Sequence, residues 1–284
     1  MAGRVEFPLI GLLFAAVVST GSAHADPSER WAKLADPVFQ HYTPDNGLPN
    51  LSVTALAQDG DGFIWVGTQD GVARWDGYRF RSYKPDHKDP AALPDNSIAR
   101  LHVDPRGRLW IGTSAGGLAR YDRNRDGFVT YAATPNGLSN PNVTAIADDG
   151  RGGLWVGTNG GLDHLDPETG TIRSLHHDES TPGSLPAGQV MAVLTDHKGR
   201  LWIGTDTGLA RRDAGADEFV PVSAGQAKLI IQALFEDDQG RIWIGTQNAG
   251  AFVVDPADSK LRPINKTDMD GAAPPAGEIG RAHV

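Results

Sequence analysis

The chain of 284 residues contains no cysteine. This absence excludes a disulfide framework, a structural zinc site built from thiolates, and a thiol nucleophile. A protein of this length can nevertheless be exported, because a sufficiently large core does not need disulfide bonds to stay folded. The chemistry of any site must therefore come from other side chains.

Positive charge is also scarce, and long apolar runs are confined to the amino terminus. The 26 lysines and arginines are outnumbered by 35 aspartates and glutamates, and the net charge is −9. An acidic chain of this kind argues against nucleic acid as a partner. Beyond residue 25, no segment of the sequence is long and apolar enough to predict a transmembrane helix.

The one apolar run, at residues 7–18, is too short to span a membrane comfortably. Arg4 precedes it, and Ala23 and Ala25 form a small-residue cleavage site before Asp26. These features predict a secretory signal peptide at residues 1–25, with a membrane anchor as the alternative. We therefore expect an exported mature chain.

The sequence motifs of catalysis and cofactor binding are missing as well. There is no glycine-rich phosphate loop of the required form, and no Ser/His/Asp arrangement with motif support. Residues 122–127 begin like an EF-hand calcium loop, but Ala133 stands where a bidentate Glu is needed. His176 and His177 are adjacent, and adjacent strand residues point to opposite faces. We predict no catalytic residue, no metal site and no cofactor.

What the chain does contain is the pattern Trp-(Val/Ile)-Gly-Thr, five times over. The tryptophans are 45, 45, 47 and 41 residues apart, a spacing typical of four-stranded propeller blades. Side chains alternate along a strand, so the pattern places apolar groups on both faces, as a sheet stacked between two other sheets requires. We assign the repeat tryptophans a structural role between blades: Trp65, Trp110, Trp155, Trp202 and Trp243.

The pattern predicts an all-β fold, a β-propeller of four-stranded antiparallel blades with five blades present and an incomplete ring. An Asp six residues before each Trp, and a Gly three before it, predict a tight first turn in every blade. The blades are expected near residues 52–83, 97–131, 142–175, 189–222 and 229–264.

The ends of the repeat region indicate that the ring is incomplete. Residues 39–42 match the end of a repeat and are predicted to form an orphan outer strand. In closed propellers such a strand completes the last blade, but the fifth repeat already has an outer strand. We expect propeller repeats within residues 26–264 and a polar tail at residues 265–284. Residues 279–284 resemble one reading frame of a sequencing adapter, so we hypothesise an artefactual end and a truncated chain.

The loops suggest which end of the propeller binds a ligand. The first turns are nearly uniform, whereas the second turns, between the Trp strand and the third strand, carry diverse polar residues. Such loops on a rigid scaffold usually carry binding, although drift in solvated loops explains the diversity equally well. Their amides and carboxylates suit a small hydroxyl-rich or oligosaccharide ligand. The candidate ligand-binding residues are Gln69, Asp70, Asn159, Asp206, Gln247 and Asn248.

The repeats resemble the two-component regulator propeller family. Residues 47–80 carry the resemblance best, from Gly-Leu-Pro through Asp-x-x-Gly-Phe-Ile-Trp-Val-Gly-Thr to Gly-Val-Ala-Arg-Trp-Asp-Gly, and it covers about residues 38–264. The fifth repeat departs from it, with Ala251 in place of the usual Leu. The resemblance implies the periplasmic sensor region of a receptor that a later transmembrane helix anchors in the inner membrane. It also implies partners: further propeller domains, a histidine kinase or GGDEF-type diguanylate cyclase output domain, and a second copy in a dimeric receptor.

Two other functions remain open. Propeller lyases that act on cyclic antibiotics, and some polysaccharide-degrading enzymes, use similar repeats. A lyase needs a convergent acid/base set near the axis, where the inner strands offer His102 alone. A structural or adhesive exported propeller is the third interpretation. We predict the sensor, with no enzymatic activity in this chain.

Overall fold

Strands that follow one another in the sequence also pair with one another. The computed structural model describes residues 41–222, 228–255 and 260–264. The described residues from Tyr42 onward belong to one structural unit, which contains twenty described strands and a 3-10 turn at Pro44–Asn46. The predicted signal peptide and the tail from residue 265 lie outside the described residues. Within the described residues, no helix has the length and apolar character needed to cross a membrane.

Four successive strands form one antiparallel sheet, five times over, and we number these sheets blades 1 to 5. The first, inner strands are β1 (Val53–Gln58), β5 (Ile98–Val103), β9 (Val143–Asp148), β13 (Val190–Thr195) and β17 (Ile231–Glu236). The Trp strands are β2 (Ile64–Thr68), β6 (Leu109–Thr113), β10 (Leu154–Thr158), β14 (Leu201–Thr205) and β18 (Ile242–Thr246). The third strands are β3 (Gly71–Trp75), β7 (Leu118–Asp122), β11 (Gly161–Leu165), β15 (Leu209–Arg212) and β19 (Ala251–Asp255). The outer strands are β4 (Phe80–Tyr83), β8 (Gly127–Tyr131), β12 (Ile172–Leu175), β16 (Val220–Val222) and β20 (Lys260–Pro263).

This arrangement confirms the predicted all-β fold of five four-stranded antiparallel blades. The inner strands contact one another in chain order, from β1 to β17, and the ring is not closed over the described residues. No described blade covers the outer face of blade 1, where Leu56 is 52% exposed, or that of blade 5, where Phe235 is 64% exposed.

The predicted orphan strand at residues 39–42 falls partly outside the described residues. His41 and Tyr42 are described and do not belong to a strand. The ring of Tyr42 instead packs against Trp75 and Phe80 of blade 1, with ring centroids 4.9 and 5.3 Å apart. A strand at Phe39 and Gln40 stays a prediction.

The glycine of the repeat pattern allows neighbouring blades to pack closely. A Cβ atom placed on Gly67 would lie 2.6 Å from Cγ2 of Ile98, the first residue of the next inner strand. A Cβ on Gly204 would lie 2.4 Å from Cγ2 of Ile231. Both distances are shorter than van der Waals contact allows, so the β-branched residue of the next blade requires glycine here.

The repeat tryptophans differ in burial. Trp65, Trp110 and Trp202 are fully buried between blades. Trp155 and Trp243 are only partly buried. Trp243 lies on the face of blade 5 that no described blade covers. Trp155 lines a cleft between blades 3 and 4.

A leucine in the segment before each inner strand completes the core. These residues are almost completely buried although they lie outside the strands. The first of them packs within blade 1, and the other four lie in core clusters that their own blade shares with the preceding blade. The buried linker residues are Leu48, Leu93, Leu138, Leu185 and Leu229.

Candidate functional site

The threonine of the repeat pattern shapes the second turn. Thr68 is completely buried; its Oγ1 donates to the Gly71 carbonyl oxygen at 2.8 Å and accepts from the Asp70 backbone N–H at 3.1 Å. The equivalent threonine oxygen contacts the turn backbone in every other blade. The second turns therefore have defined backbones, and the residues after the threonine are presented at one end of the propeller.

Three of the six predicted ligand-binding residues hold these turns against the linkers. Asp70 Oδ2 accepts from Lys84 Nζ at 2.6 Å, and this hydrogen bond lowers the pKa of Asp70. Asp206 Oδ1 accepts from the Gln189 backbone N–H at 2.9 Å. Asn248 accepts from the Ile230 N–H at 3.2 Å and donates to the Lys228 carbonyl at 3.0 Å. These contacts give Asp70, Asp206 and Asn248 a structural role that the sequence did not reveal.

The other three predicted residues, Gln69, Asn159 and Gln247, are exposed. Gln247 Oε1 accepts a hydrogen bond from Gln232 Nε2 at 3.1 Å. Within the described part of the chain, no hydrogen bond joins two of the six predicted residues. The structure therefore places them at the same end of blades 1, 3, 4 and 5, in four separate second turns.

Sequence reasoning missed Gln232, which lies at a β-bulge near the start of its inner strand. All five inner strands contain an irregularity of register at this point. A bulge re-aims the side chain of the extra residue. The bulge residue of blade 1, Thr54, donates to the Ile98 carbonyl of the next blade at 2.6 Å. A bulge leaves no clear mark in the sequence, so no motif could have identified these positions.

At the opposite end, the first-turn aspartate binds the repeat tryptophan. Asp104 Oδ1 accepts from the backbone N–H groups of Arg106 and Arg108, both at 3.0 Å. Its Oδ2 accepts from Trp110 Nε1 at 2.9 Å and from Arg108 Nε at 2.6 Å. Burial acts to raise the pKa of Asp104, but these hydrogen bonds outweigh it and lower the pKa. The uniform first turns are thus parts of the blade scaffold.

The residues considered for acid/base or metal chemistry do not form a larger cluster. His102 Nε2 lies 3.2 Å from Asp148 Oδ2, although no hydrogen bond forms between them. His176 Nδ1 and His177 Nδ1 contact the carbonyl oxygens of Gly160 and Leu185 in the linker region. No group of three or more His, Cys, Asp or Glu residues that could hold a metal ion occurs among the described residues.

The repeats match a known family. The model of the two component regulator propeller family matches residues 47–70, 92–115, 137–160, 184–207 and 226–248. Each matched segment includes the Trp-x-Gly-Thr pattern and the first turn with its aspartate. The five repeats of this chain therefore belong to the two component regulator propeller family.

Two relatives connect this family to signalling proteins. Histidine kinase P4 of Formosa agariphila is 39% identical over 56 residues, which are 20% of this chain and 4% of the kinase. The crystal structure of the extracellular domain of BT3049 from B. thetaiotaomicron, described as a hybrid two component system, is 27% identical with a TM-score of 0.69. The match covers 78% of this chain and 31% of that structure, so the chain spans less than a third of either relative.

An enzyme shares the fold. The crystal structure of virginiamycin B lyase from Staphylococcus aureus with quinupristin is 19% identical and has a TM-score of 0.57. The match covers 80% of this chain and 74% of the lyase. At this level of identity the likeness shows the propeller fold alone.

Proposed function

We propose that this chain is the ligand-sensing propeller region of a membrane signal-transduction receptor and that it acts in the periplasm. The likeness to the extracellular domain of BT3049, over 78% of this chain, is the observation that carries the proposal. The predicted signal peptide at residues 1–25 supports export. The output domain of the parent receptor is a histidine kinase or a diguanylate cyclase, and the similarity to Histidine kinase P4 supports the first.

The ligand is proposed to bind at the end that carries the second turns. Gln69, Asn159 and Gln247 offer exposed amides there, on turns whose backbones are held by buried threonines. Amides both donate and accept hydrogen bonds, which suits a small hydroxyl-rich molecule or an oligosaccharide. Asp70, Asp206 and Asn248 support the shape of this surface. The complete receptor is proposed to be a dimer in which further propeller and output domains accompany this region.

A ligand screen on the exported, processed chain tests this proposal. We expect a neutral mono- or oligosaccharide to raise the melting temperature, and the substitutions Gln69→Ala and Gln247→Ala to weaken its binding. Gln239→Ala is the matched control, because Gln239 is an exposed glutamine in a first turn at the opposite end. If binding is lost in the Gln239 variant and kept in the other two, the site lies at the end of the first turns, and the proposed location is wrong.

The enzymatic alternative rests on the propeller lyase fold and on His102. A propeller lyase or polysaccharide-degrading enzyme requires an acid/base set, and the described residues offer the His102–Asp148 pair. A structural or adhesive propeller is the remaining alternative. Substrate turnover that His102→Gln abolishes would favour the enzyme over the sensor.

A further inference from the structure

Blade 3 departs from the hydrogen-bonding scheme of the other blades. In blades 1, 2, 4 and 5 the indole Nε1 of the repeat tryptophan donates to the first-turn aspartate at 2.7–2.9 Å. In blade 3, His164 replaces the tryptophan as the hydrogen-bond partner of the aspartate, with Nε2 2.8 Å from Asp149 Oδ2. The indole Nε1 of Trp155 makes no hydrogen bond to any described residue. This nitrogen is also not fully buried. The indole N–H that is hydrogen-bonded in the other four blades can therefore donate to a ligand in blade 3.

The sequence around Trp155 explains this exchange. His164 pairs with Trp155 across the strands, where blades 1, 2 and 4 carry an arginine. Gly153 stands where blades 2, 4 and 5 have an arginine that binds the aspartate. A Cβ atom on Gly153 would lie 2.4 Å from Asp149 Oδ2 and 2.9 Å from His164 Nε2. Glycine is therefore required for the imidazole to replace the indole on Asp149.

Blade 4 adds a second departure at the same place. Tyr121, Leu165 and Val254 each pack near the tryptophan of the preceding blade. Arg212 takes the equivalent position in blade 4, where it pairs with Leu201. Its guanidinium carbon lies 4.8 Å from the Trp155 ring centroid and 5.1 Å from that of Phe219. At this position the interface between blades 3 and 4 thus carries a guanidinium, where the other three carry a tyrosine, a leucine or a valine.

The Arg212 guanidinium is partly desolvated, and no carboxylate of the described residues is in contact with it. Burial lowers its pKa, and Asp217 exerts only a weaker opposing charge effect. Its side chain makes no hydrogen bond or ion pair with a described residue. A guanidinium that is removed from water without gaining a carboxylate partner loses hydrogen bonds to water. A ligand anion can replace those hydrogen bonds.

These groups line a cleft of about 700 Å³ between blades 3 and 4. Two aspartates of the lining pair with arginines just outside it, Asp196 with Arg200 and Asp213 with Arg211. With histidine counted as neutral, the other charged lining residues are three arginines and two aspartates: Arg151, Arg173, Arg212, Asp149 and Asp217. Together with the two paired arginines, the cleft therefore carries a small positive excess, although the whole chain is acidic.

We propose that this cleft binds a small monocarboxylate that carries a ring, with the carboxylate held by Trp155 Nε1 and the Arg212 guanidinium. The guanidinium carbon of Arg212 lies 4.8 Å from the Trp155 ring centroid, close enough for one carboxylate to accept from the indole N–H with one oxygen and from the guanidinium with the other. The nearby Asp217 disfavours a dianion such as phosphate. The volume leaves room for a ring beside the carboxylate, from either a sugar acid or an aromatic acid. This site lies at the end opposite the second turns and is independent of the function proposed above.

Titration of the purified chain with D-glucuronate and with benzoate tests the proposal, and D-glucose serves as the neutral control. We expect one of the two acids to bind, which also identifies the source of the ring, and glucose not to compete. In the ¹H–¹⁵N spectrum the Trp155 indole resonance should move on binding, while those of Trp65, Trp110 and Trp202 should stay. Trp155→Phe removes the N–H and assigns the resonance.

Arg212→Leu is the decisive variant, because leucine already fills the equivalent position in blade 3 and the fold is expected to tolerate it. We expect the dissociation constant to rise about ten-fold or more, from the loss of a charged hydrogen bond. We expect a smaller rise, about five-fold, for Trp155→Phe. Arg79→Gln, which removes an exposed charge in blade 1, should leave binding unchanged. Wild-type affinity in Arg212→Leu, or no binding of either acid at millimolar concentration, would overturn the proposal.

Discussion

Gly204 and Gly245 occupy the same position of the repeat pattern, but only Gly204 lies under a following blade of the described structure. We expect Gly204→Ala to destabilise the fold, because its Cβ would lie 2.4 Å from Cγ2 and 2.7 Å from Cβ of Ile231. Relief of this overlap requires blades 4 and 5 to move apart, and overpacking of this kind costs about 1–3 kcal/mol. At Gly245 the nearest atom to a new Cβ is 3.4 Å away, an ordinary contact.

Neither glycine has a positive φ angle, so alanine brings no backbone strain. Gly245→Ala should therefore be neutral or stabilise by about 0.4–1 kcal/mol, because it reduces the entropy of the unfolded chain. Urea unfolding followed by tryptophan fluorescence measures both variants. Gly204→Ala should lower the melting temperature by about 2–12 °C, given about 2–4 °C per kcal/mol for a domain of this size. Equal stability of the two alanine variants would refute the claim that the pattern glycine serves packing between blades.

Three further predictions concern the buried tryptophans, the stability of the fold at low pH, and the exposed faces of blades 1 and 5. Trp110→Ala should lower the free energy of unfolding by about 3–5 kcal/mol, measured by urea unfolding. Trp155→Ala should lower it by less, because Trp155 is partly exposed and lacks the hydrogen bond to its aspartate. An equal loss of stability in the two variants would contradict this prediction. Burial opposes ionisation of Asp237, but hydrogen bonds from its own blade lower its pKa to about 2. The pKa of an aspartate in the unfolded chain is about 3.9. The contribution of Asp237 to the stability of the fold is therefore full above about pH 4 and is lost as the pH falls toward 2. Asp237→Asn should therefore flatten the decline of the melting temperature from pH 5 to about 2.5, and an unchanged slope would count against it. The exposed Leu56 and Phe235 should cause self-association of the chain, which light scattering would detect. The double variant with Leu56→Asp and Phe235→Asp should associate less. A wild-type chain that is monomeric would contradict this prediction.

The candidate site was predictable only in part. The end of the propeller that carries diverse loops follows from strand alternation along the chain, and the structure places all six predicted residues there. The sequence could not distinguish Gln69, which is exposed, from Asp70, which binds Lys84. Both are polar residues in one turn, and their roles depend on where a linker 14 residues away returns. Gln232 was missed because a bulge alters the direction of a side chain without altering the residue type.

The sequence by itself determined the blades. Each blade is a meander whose strands pair with their neighbours in the chain, so the spacing of the tryptophans, the turn aspartates and the glycines specifies it locally. Only the tertiary structure decided what happens between blades. Gly153, His164 and Arg212 are ordinary departures from a repeat when read in sequence. Within blade 3, Gly153 and His164 release the indole N–H of Trp155 from its aspartate. Stacking of blade 4 on blade 3 then brings the Arg212 guanidinium to the Trp155 ring, so both residues line the same cleft.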